Sequence, residues 1–561
     1  MKTRRHILGC LAGLPFVSLA GCTELRRVPE IDSAVGAIDM HAHIFNGLDI
    51  PRVGFLQQVI LRDPHSDSDP NMLTEGFLKL LTYVLLSNTP TATEELRNLG
   101  GDGLSVGALR SDPVANDQRN VAEAIAKFNA DQTSEASGLT RSNDRAVIDL
   151  LYRETGLQPA AAGFTSRRAE AETLAAEIYA QKAPGATQLS GRAREYKLNK
   201  SPILQTIRWA GLLTRAREAI YDELVTLYGG PRGISIFSPS IVDFQQWFKT
   251  DERVTRIRDQ IKVMSALARR RQDAILLNFV PFCPLRAALL VQDHPGTDPL
   301  ADIKWAITQK GFAGVKLYPP LGFRPLGNEK TRFTFAKRTP QGRGAALDKQ
   351  LRKLYAWCQA NDVPIKAHAN NSIEAGVCTG LNASPNNWKP VLKEYPDLRL
   401  NLAHFGGFDE TGNAPDPLGL SNRCTEPSGR DWEELLTDML GAHKGLYFDL
   451  GYWIETSDGG PGRSDVLRKM QALLTREPLV AQRMMYGSDW SMIGREVSHP
   501  IYRVAVLAAL RELQLPDAQR GNVEGGNARR YLGIDRKGKQ FHRLNAFFKD
   551  HPVWQAETER M

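Results

Sequence analysis

The chain has 561 residues, 42% of them hydrophobic and 24% charged, with a formal net charge of +8; this is ordinary globular composition, with room for two average domains or one barrel carrying large insertions. Its lysines and arginines are interleaved with acids, without a dense basic block or an aromatic–basic module, which argues against a nucleic-acid partner. The excess positive charge reads as a solvated basic surface, suited to lying near an anionic membrane.

In chain order, residues 1–22 read as an export leader. Arg4-Arg5 precedes an apolar stretch from Ile7 to Ala20, the layout of a secretory signal and, with Thr3-Arg4-Arg5, of a twin-arginine one. Gly13 and Pro15 interrupt a stretch that is already too short for a good spanning helix. Leu19-Ala20-Gly21-Cys22 resembles a bacterial lipobox, with lipid on Cys22. The expected location is therefore the bacterial cell envelope or periplasm, with a membrane tether through Cys22; an ordinary secretory peptide with a coincidental cysteine, or an uncleaved anchor, is the alternative.

Residues 23–34 read as a polar tether, and 35–48 as a first strand with its following turn. Val35–Met40 is a short apolar run ending in His41-Ala42-His43. Residues two apart in a strand share a face, so two imidazoles at a strand end can hold one metal ion. Residues 49–230 have a different, mainly helical character, with helix-prone stretches at Arg145–Thr155, Arg167–Gln181 and Ile203–Tyr228.

Residues 231–535 change rhythm. Short apolar runs recur at Gly233–Phe237, Ala274–Val280, Gly314–Tyr318, Val363–Ala367, Leu398–Ala403, Leu446–Leu450 and Met484–Tyr486. Helix-prone stretches separate them, and Ile501–Leu513 supplies a last helix. With the first strand this makes eight strands alternating with helices, which predicts a parallel α/β fold and specifically a (β/α)8 TIM-like barrel with a large helical insertion after strand 1. Residues 536–561 form a charged, aromatic-bearing tail whose order the sequence leaves open.

Six cysteines are present and no Cys-x-x-Cys occurs, so a thiolate zinc ribbon is not expected. In an oxidising compartment Cys378 and Cys424, in consecutive long loops, are the best candidates to pair, against the alternative of isolated buried thiols.

Barrel enzymes keep their chemistry at the carboxyl ends of the strands. Those ends carry His41 and His43, then Lys316, His368, His404 and Asp489. The order resembles the amidohydrolase superfamily, in particular the amidohydrolase-related branch that includes aminocarboxymuconate-semialdehyde decarboxylase. The resemblance extends to Ser238–Asp243, Pro281–Arg286 and the closing Gly525–Gly533; residues 49–230 depart from it.

The resemblance implies one divalent metal held by His41, His43, His368 and Asp489, a donor set that suits zinc and is tolerated by manganese or iron. It implies His404 and Asp489 as catalytic residues that move the proton of an activated water. Lys316 can bind a substrate carboxylate, be structural, or, carboxylated, bridge a second metal; the single-metal reading is preferred. Arg324 can pair with an anionic substrate or brace its loop. The expected activity is hydrolysis of a C–N or C–O bond in a small amide, lactone or ester. The rivals are a metal-dependent non-oxidative decarboxylase on the same residues and a non-catalytic envelope lipoprotein. The expected partner is a small-molecule substrate; an oligomer is compatible with the sequence. The insertion is expected either over the mouth, shaping specificity, or packed at the side.

Overall fold

A computed structural model describes residues 24–29, 36–56, 72–100, 112–131, 138–159, 167–180, 187–188, 193–198, 201–230, 233–248, 252–334, 336–372, 378–407, 426–458 and 461–560. Residues 1–22, the expected export leader with Cys22, and Cys424 lie outside the described residues. Among the described residues no helix is long and apolar enough to cross a membrane.

Twelve strands are described: β1 Glu24–Pro29, β2 Ala37–Ala42, β3 Thr187–Gln188, β4 Ala193–Leu198, β5 Ile234–Pro239, β6 Ile275–Leu276, β7 Phe279–Pro281, β8 Gly314–Leu317, β9 Ile365–His368, β10 Leu400–Ala403, β11 Leu446–Asp449 and β12 Met484–Met485. Two of the sheets are parallel, with orders β2-β5-β6 and β12-β11-β10-β9-β8-β7. Their strands are short, rich in Val, Ile, Leu and Phe, and almost wholly buried, as parallel strands covered on both faces by helices must be. All eight expected runs appear as strands within a few residues of the predicted bounds.

The expected run Ala274–Val280 is divided. β6 pairs with β5 and β7 with β8, so one stretch of chain serves both parallel sheets. A parallel bridge joins Ser240 to Phe279, and a second joins Ala42 to Trp490. Next to that second bridge, the Met40 amide donates to the Tyr486 carbonyl at 2.9 Å. The first and last strands of the parallel set are therefore in hydrogen-bond contact.

The segment expected as a tether includes β1, which pairs antiparallel with β4 of the insertion; β3 completes this small sheet. Main-chain pairing joins these strands, and their polar composition gave no sign of it. The insertion is otherwise helical, with helices at Met72–Leu85, Ala92–Gly100, Pro113–Asp131, Gly138–Thr155 and Arg167–Ala180. The stretch Ile203–Tyr228 is two helices, Pro202–Leu212 and Arg217–Tyr228. Between them the Leu213 carbonyl is taken by the Gly47 amide at 2.7 Å, and the Thr214 hydroxyl donates to the Gly211 carbonyl. The break thus ties the insertion to the loop that follows β2.

The last residues are ordered. Helices Lys539–Phe548 and Pro552–Thr558 bury Phe541, Leu544, Phe548 and Trp554. Gln540 donates to the Ala313 carbonyl just before β8, and Arg529, itself paired with Glu557, donates to the Gly36 carbonyl just before β2. These helices cover the amino ends of the strands, opposite the ends that carry the expected ligands. Cys283 and Cys358 are free buried thiols; Cys378 is disulfide-bonded.

Candidate metal centre

His41, His43 and Asp489 converge. Their ligand atoms lie within 4.8 Å of one another, and all three residues are buried. Asp489 Oδ1 is 3.5 Å from His41 Nε2 and 3.3 Å from His43 Nε2. Asp489 reaches this place from a left-handed backbone, φ +60°, unusual for a residue other than glycine. His404 is also left-handed, at φ +73°.

Backbone carbonyls settle which ring nitrogen carries each proton, because a carbonyl can only accept. His43 Nδ1 donates to the Ser240 carbonyl at 2.9 Å, which leaves Nε2 as a bare lone pair facing Asp489. His404 Nδ1 donates to the Gly451 carbonyl at 2.8 Å, so its Nε2 accepts from His368 Nδ1 at 3.0 Å. His368 Nε2 then accepts from the Ser372 hydroxyl at 2.7 Å. Burial holds the His41, His43 and His368 imidazoles below their usual range, hence neutral, as metal ligands must be.

His368 is brought to the site, its ring centroid 4.4 Å from that of His404, which is itself 4.6 Å from that of His41. It stands outside the compact three-residue group, with both ring nitrogens engaged. Lys316 Nζ lies 3.3 Å from His41 Nε2. Burial lowers its ammonium to about 8 against the pull of Asp449 and Asp489. A cationic group already sits among these acceptors, and the neutral-imidazole and carboxylate donors fit a divalent ion. Arg324 is not drawn in: its side chain is exposed, and Asn328 accepts from its amide and donates to its carbonyl.

Three buried groups support the centre without having been singled out in the sequence. Asp449, at the end of β11, accepts from His41 Nδ1 at 3.1 Å. Asp39 takes the His41 amide and the Ser488 amide at 3.0 Å each and the Ser488 hydroxyl at 2.5 Å, tying β2 to the turn that carries Asp489. Lys366 on β9 donates to the Ser238 carbonyl and the Ser240 hydroxyl, and so steadies the segment that receives His43. Charged residues inside short apolar strands were the available signal. The backbone is pressed close here: a Cβ on Gly451 would fall 2.7 Å from His41 Nδ1, so only glycine fits.

On the mouth side the insertion comes near. Trp209 Nε1 donates to the Ser491 carbonyl at 2.9 Å and Gln205 to the Gly494 carbonyl at 2.6 Å, both on the segment leaving Asp489. Ring contacts run from His43 through Phe45, Phe55, Phe244 and Tyr318 to His368.

Parallel strands whose carboxyl ends gather two histidines and an aspartate define an α/β protein of metal-site type. Within that class the chain belongs to the amidohydrolase family, whose family model (Amidohydro_2) matches residues 252–534. Family members are enzymes, hydrolases or decarboxylases. The match begins after β2 and the insertion, so His41 and His43 lie outside it. Among solved structures the chain is similar to a dihydroxybenzoic acid decarboxylase from Polaromonas sp. JS666 with bound manganese and an inhibitor (13% identity, 59% of this chain and 90% of that one, TM-score 0.34). It is similar also to an amidohydrolase from Burkholderia multivorans with bound zinc (15% identity, 58% and 91%, TM-score 0.34). A third is 5-carboxyvanillate decarboxylase from Sphingomonas paucimobilis (12% identity, 54% and 79%, TM-score 0.32). No curated protein matches the sequence.

Proposed function

We propose that the chain is a metal-dependent hydrolase that cleaves a C–N or C–O bond of a small amide, lactone or ester. The carrying observation is the convergence of His41, His43 and Asp489, with the His43 lone pair facing inward. We read the two parallel sheets, with β6 and β7 as one interrupted strand, as a single closed (β/α)8 barrel. His41, His43 and Asp489 would hold one divalent ion, zinc or otherwise manganese or iron, with His368 as fourth ligand once Ser372 releases it. When bound, the ion supplies Lewis acidity and brings the pKa of water toward neutrality. Asp489 accepts the proton of the attacking water and delivers it to the leaving group. His404, its Nδ1 proton committed to Gly451, presents Nε2 as the second proton-handling group. Lys316 holds a negatively charged substrate group, and the Trp209 side of the insertion forms one wall of the mouth.

The test is product analysis with zinc- or manganese-loaded protein on a panel of small amides, lactones, esters and carboxylates. Expected is metal-dependent ring opening or acyl cleavage without gas release. Carbon dioxide released from a carboxylate would overturn hydrolysis in favour of decarboxylation, and inertness across the panel with metal bound would favour a binding role.

We also propose export and anchoring through Cys22, on the layout of Arg4-Arg5, the apolar stretch and Leu19-Ala20-Gly21-Cys22. Metabolic labelling with a fatty-acid analogue is expected to tag the wild type and to be lost in Cys22→Ala; equal labelling of both would remove the anchor.

A further inference from the structure

Asp449 is fully buried at the end of β11. Among the described residues the one ionisable group within ion-pair distance of it is His41. A buried carboxylate without a lysine or arginine partner is costly unless its hydrogen bonds and a nearby cation compensate it. Its hydrogen bonds are placed with purpose. Oδ1 accepts from His41 Nδ1 at 3.1 Å, from the His404 amide at 3.2 Å and from the Gly451 amide at 3.0 Å. Oδ2 accepts from Asn401 Nδ2 at 2.7 Å. The residue whose amide Asp449 accepts, Gly451, also offers the carbonyl that receives His404 Nδ1 at 2.8 Å. One carboxylate therefore faces a predicted metal ligand directly and a predicted proton-handling residue through two backbone groups.

We propose that Asp449 is a positioning residue that couples His41 to His404: it selects the His41 tautomer whose Nε2 can bind metal, and it sets the backbone on which His404 turns. This rests on the metal-centre reading above. A ligand histidine that donates its other N–H to a carboxylate is oriented and made more basic, and loss of such a partner costs about 10–100-fold in metal affinity. When bound, the ion on the far side of the His41 ring would add to the positive charge that Lys316 and Lys366 already place near Asp449.

The test uses the full chain, stripped of metal and titrated with Co2+, whose visible absorption reports ligand geometry. Asp449→Asn is nearly isosteric. Asn401 Oδ1 is buried without a partner, so a turned Asn401 amide can accept from the side-chain amide introduced at position 449, and the variant has a route to a satisfied fold. Expected is wild-type circular dichroism and metal-free unfolding, with Co2+ bound about 10–100-fold more weakly and an altered visible band. Asn401→Ala, which frees Oδ2 and leaves Asp449 in place, is expected to weaken Co2+ binding in the same direction by less, and serves if Asp449→Asn does not fold. Wild-type affinity and an unchanged band in a folded Asp449→Asn, or in Asn401→Ala if that alone folds, would overturn the coupling while leaving the metal centre intact. A wild-type chain that binds no Co2+ would overturn the metal centre and the role of Asp449 with it.

Discussion

Replacement of His41 or His43 by alanine, or of Asp489 by asparagine, is expected to remove metal from a chain that otherwise holds about one equivalent of zinc or manganese. The loss in affinity should exceed the ~10–100-fold attached to supporting residues, because each change deletes a donor from a group whose atoms lie within 4.8 Å. Folding should survive in His43→Ala, which removes a neutral ring, and in Asp489→Asn, which keeps the shape of the side chain; His41→Ala also takes a hydrogen-bond donor from buried Asp449, so circular dichroism checks its fold first. Elemental analysis after dialysis against a weak chelator reads the result. Retention of a full equivalent in all three variants would rule out this centre. His368→Ala divides two ligand sets. Retained metal points to the three-residue group alone, with Ser372 keeping His368; lost metal brings His368 in as the fourth ligand.

Replacement of Arg217 by methionine should produce the largest loss of stability. Arg217 is buried and paired at once with Asp49, where the insertion begins just after β2, and with Glu95, further along it. The same group draws in Asn46, whose amide donates to Asp49 and whose side chain donates to Glu95. Removing the guanidinium leaves two buried carboxylates facing each other, and breaking a buried pair in this way costs about 3–5 kcal/mol. Urea unfolding followed by limited proteolysis is the measurement: the first transition should move to lower urea and cleavage should fall within 49–230. Neutralising the partners as well, in Arg217→Met with Asp49→Asn and Glu95→Gln, should recover part of the loss. An unchanged midpoint in the single variant would show that the cluster does not hold the insertion in place.

The parallel part of the fold could be read from residue order because each strand is a short apolar run with a polar residue at its carboxyl end. His41, His43, Lys316, His368, His404 and Asp489 were found by that rule, and the structure gathers all six. Asp449 obeys the same rule, after Leu446-Tyr447-Phe448, yet a single acid at a strand end resembles an ordinary helix-capping or turn residue until its contact with His41 is seen. Asp39 and Lys366 lie within strands, where pattern alone cannot tell a misplaced charge from a supporting one. The break at Leu213 was not legible because its cause, the Gly47 amide, lies 166 positions earlier in the chain. The order of the last helices follows from sites far from them, at Ala313 and Gly36. Local periodicity carries no information about such distant partners.

The junction of β2 with the turn after β12 also bears on how the molecule is made. Asp39 and Ser488 are 449 positions apart, so the contact has one of the highest sequence separations the chain allows, and long-range pairings of this kind form late. During synthesis, His41 and His43 emerge early but wait for almost the whole chain before Asp489 arrives. A nascent or truncated polypeptide would carry the histidine pair without its carboxylate partner. On the metal-centre reading proposed above, metal loading would wait for completion of the chain, and the ion would mark a finished molecule.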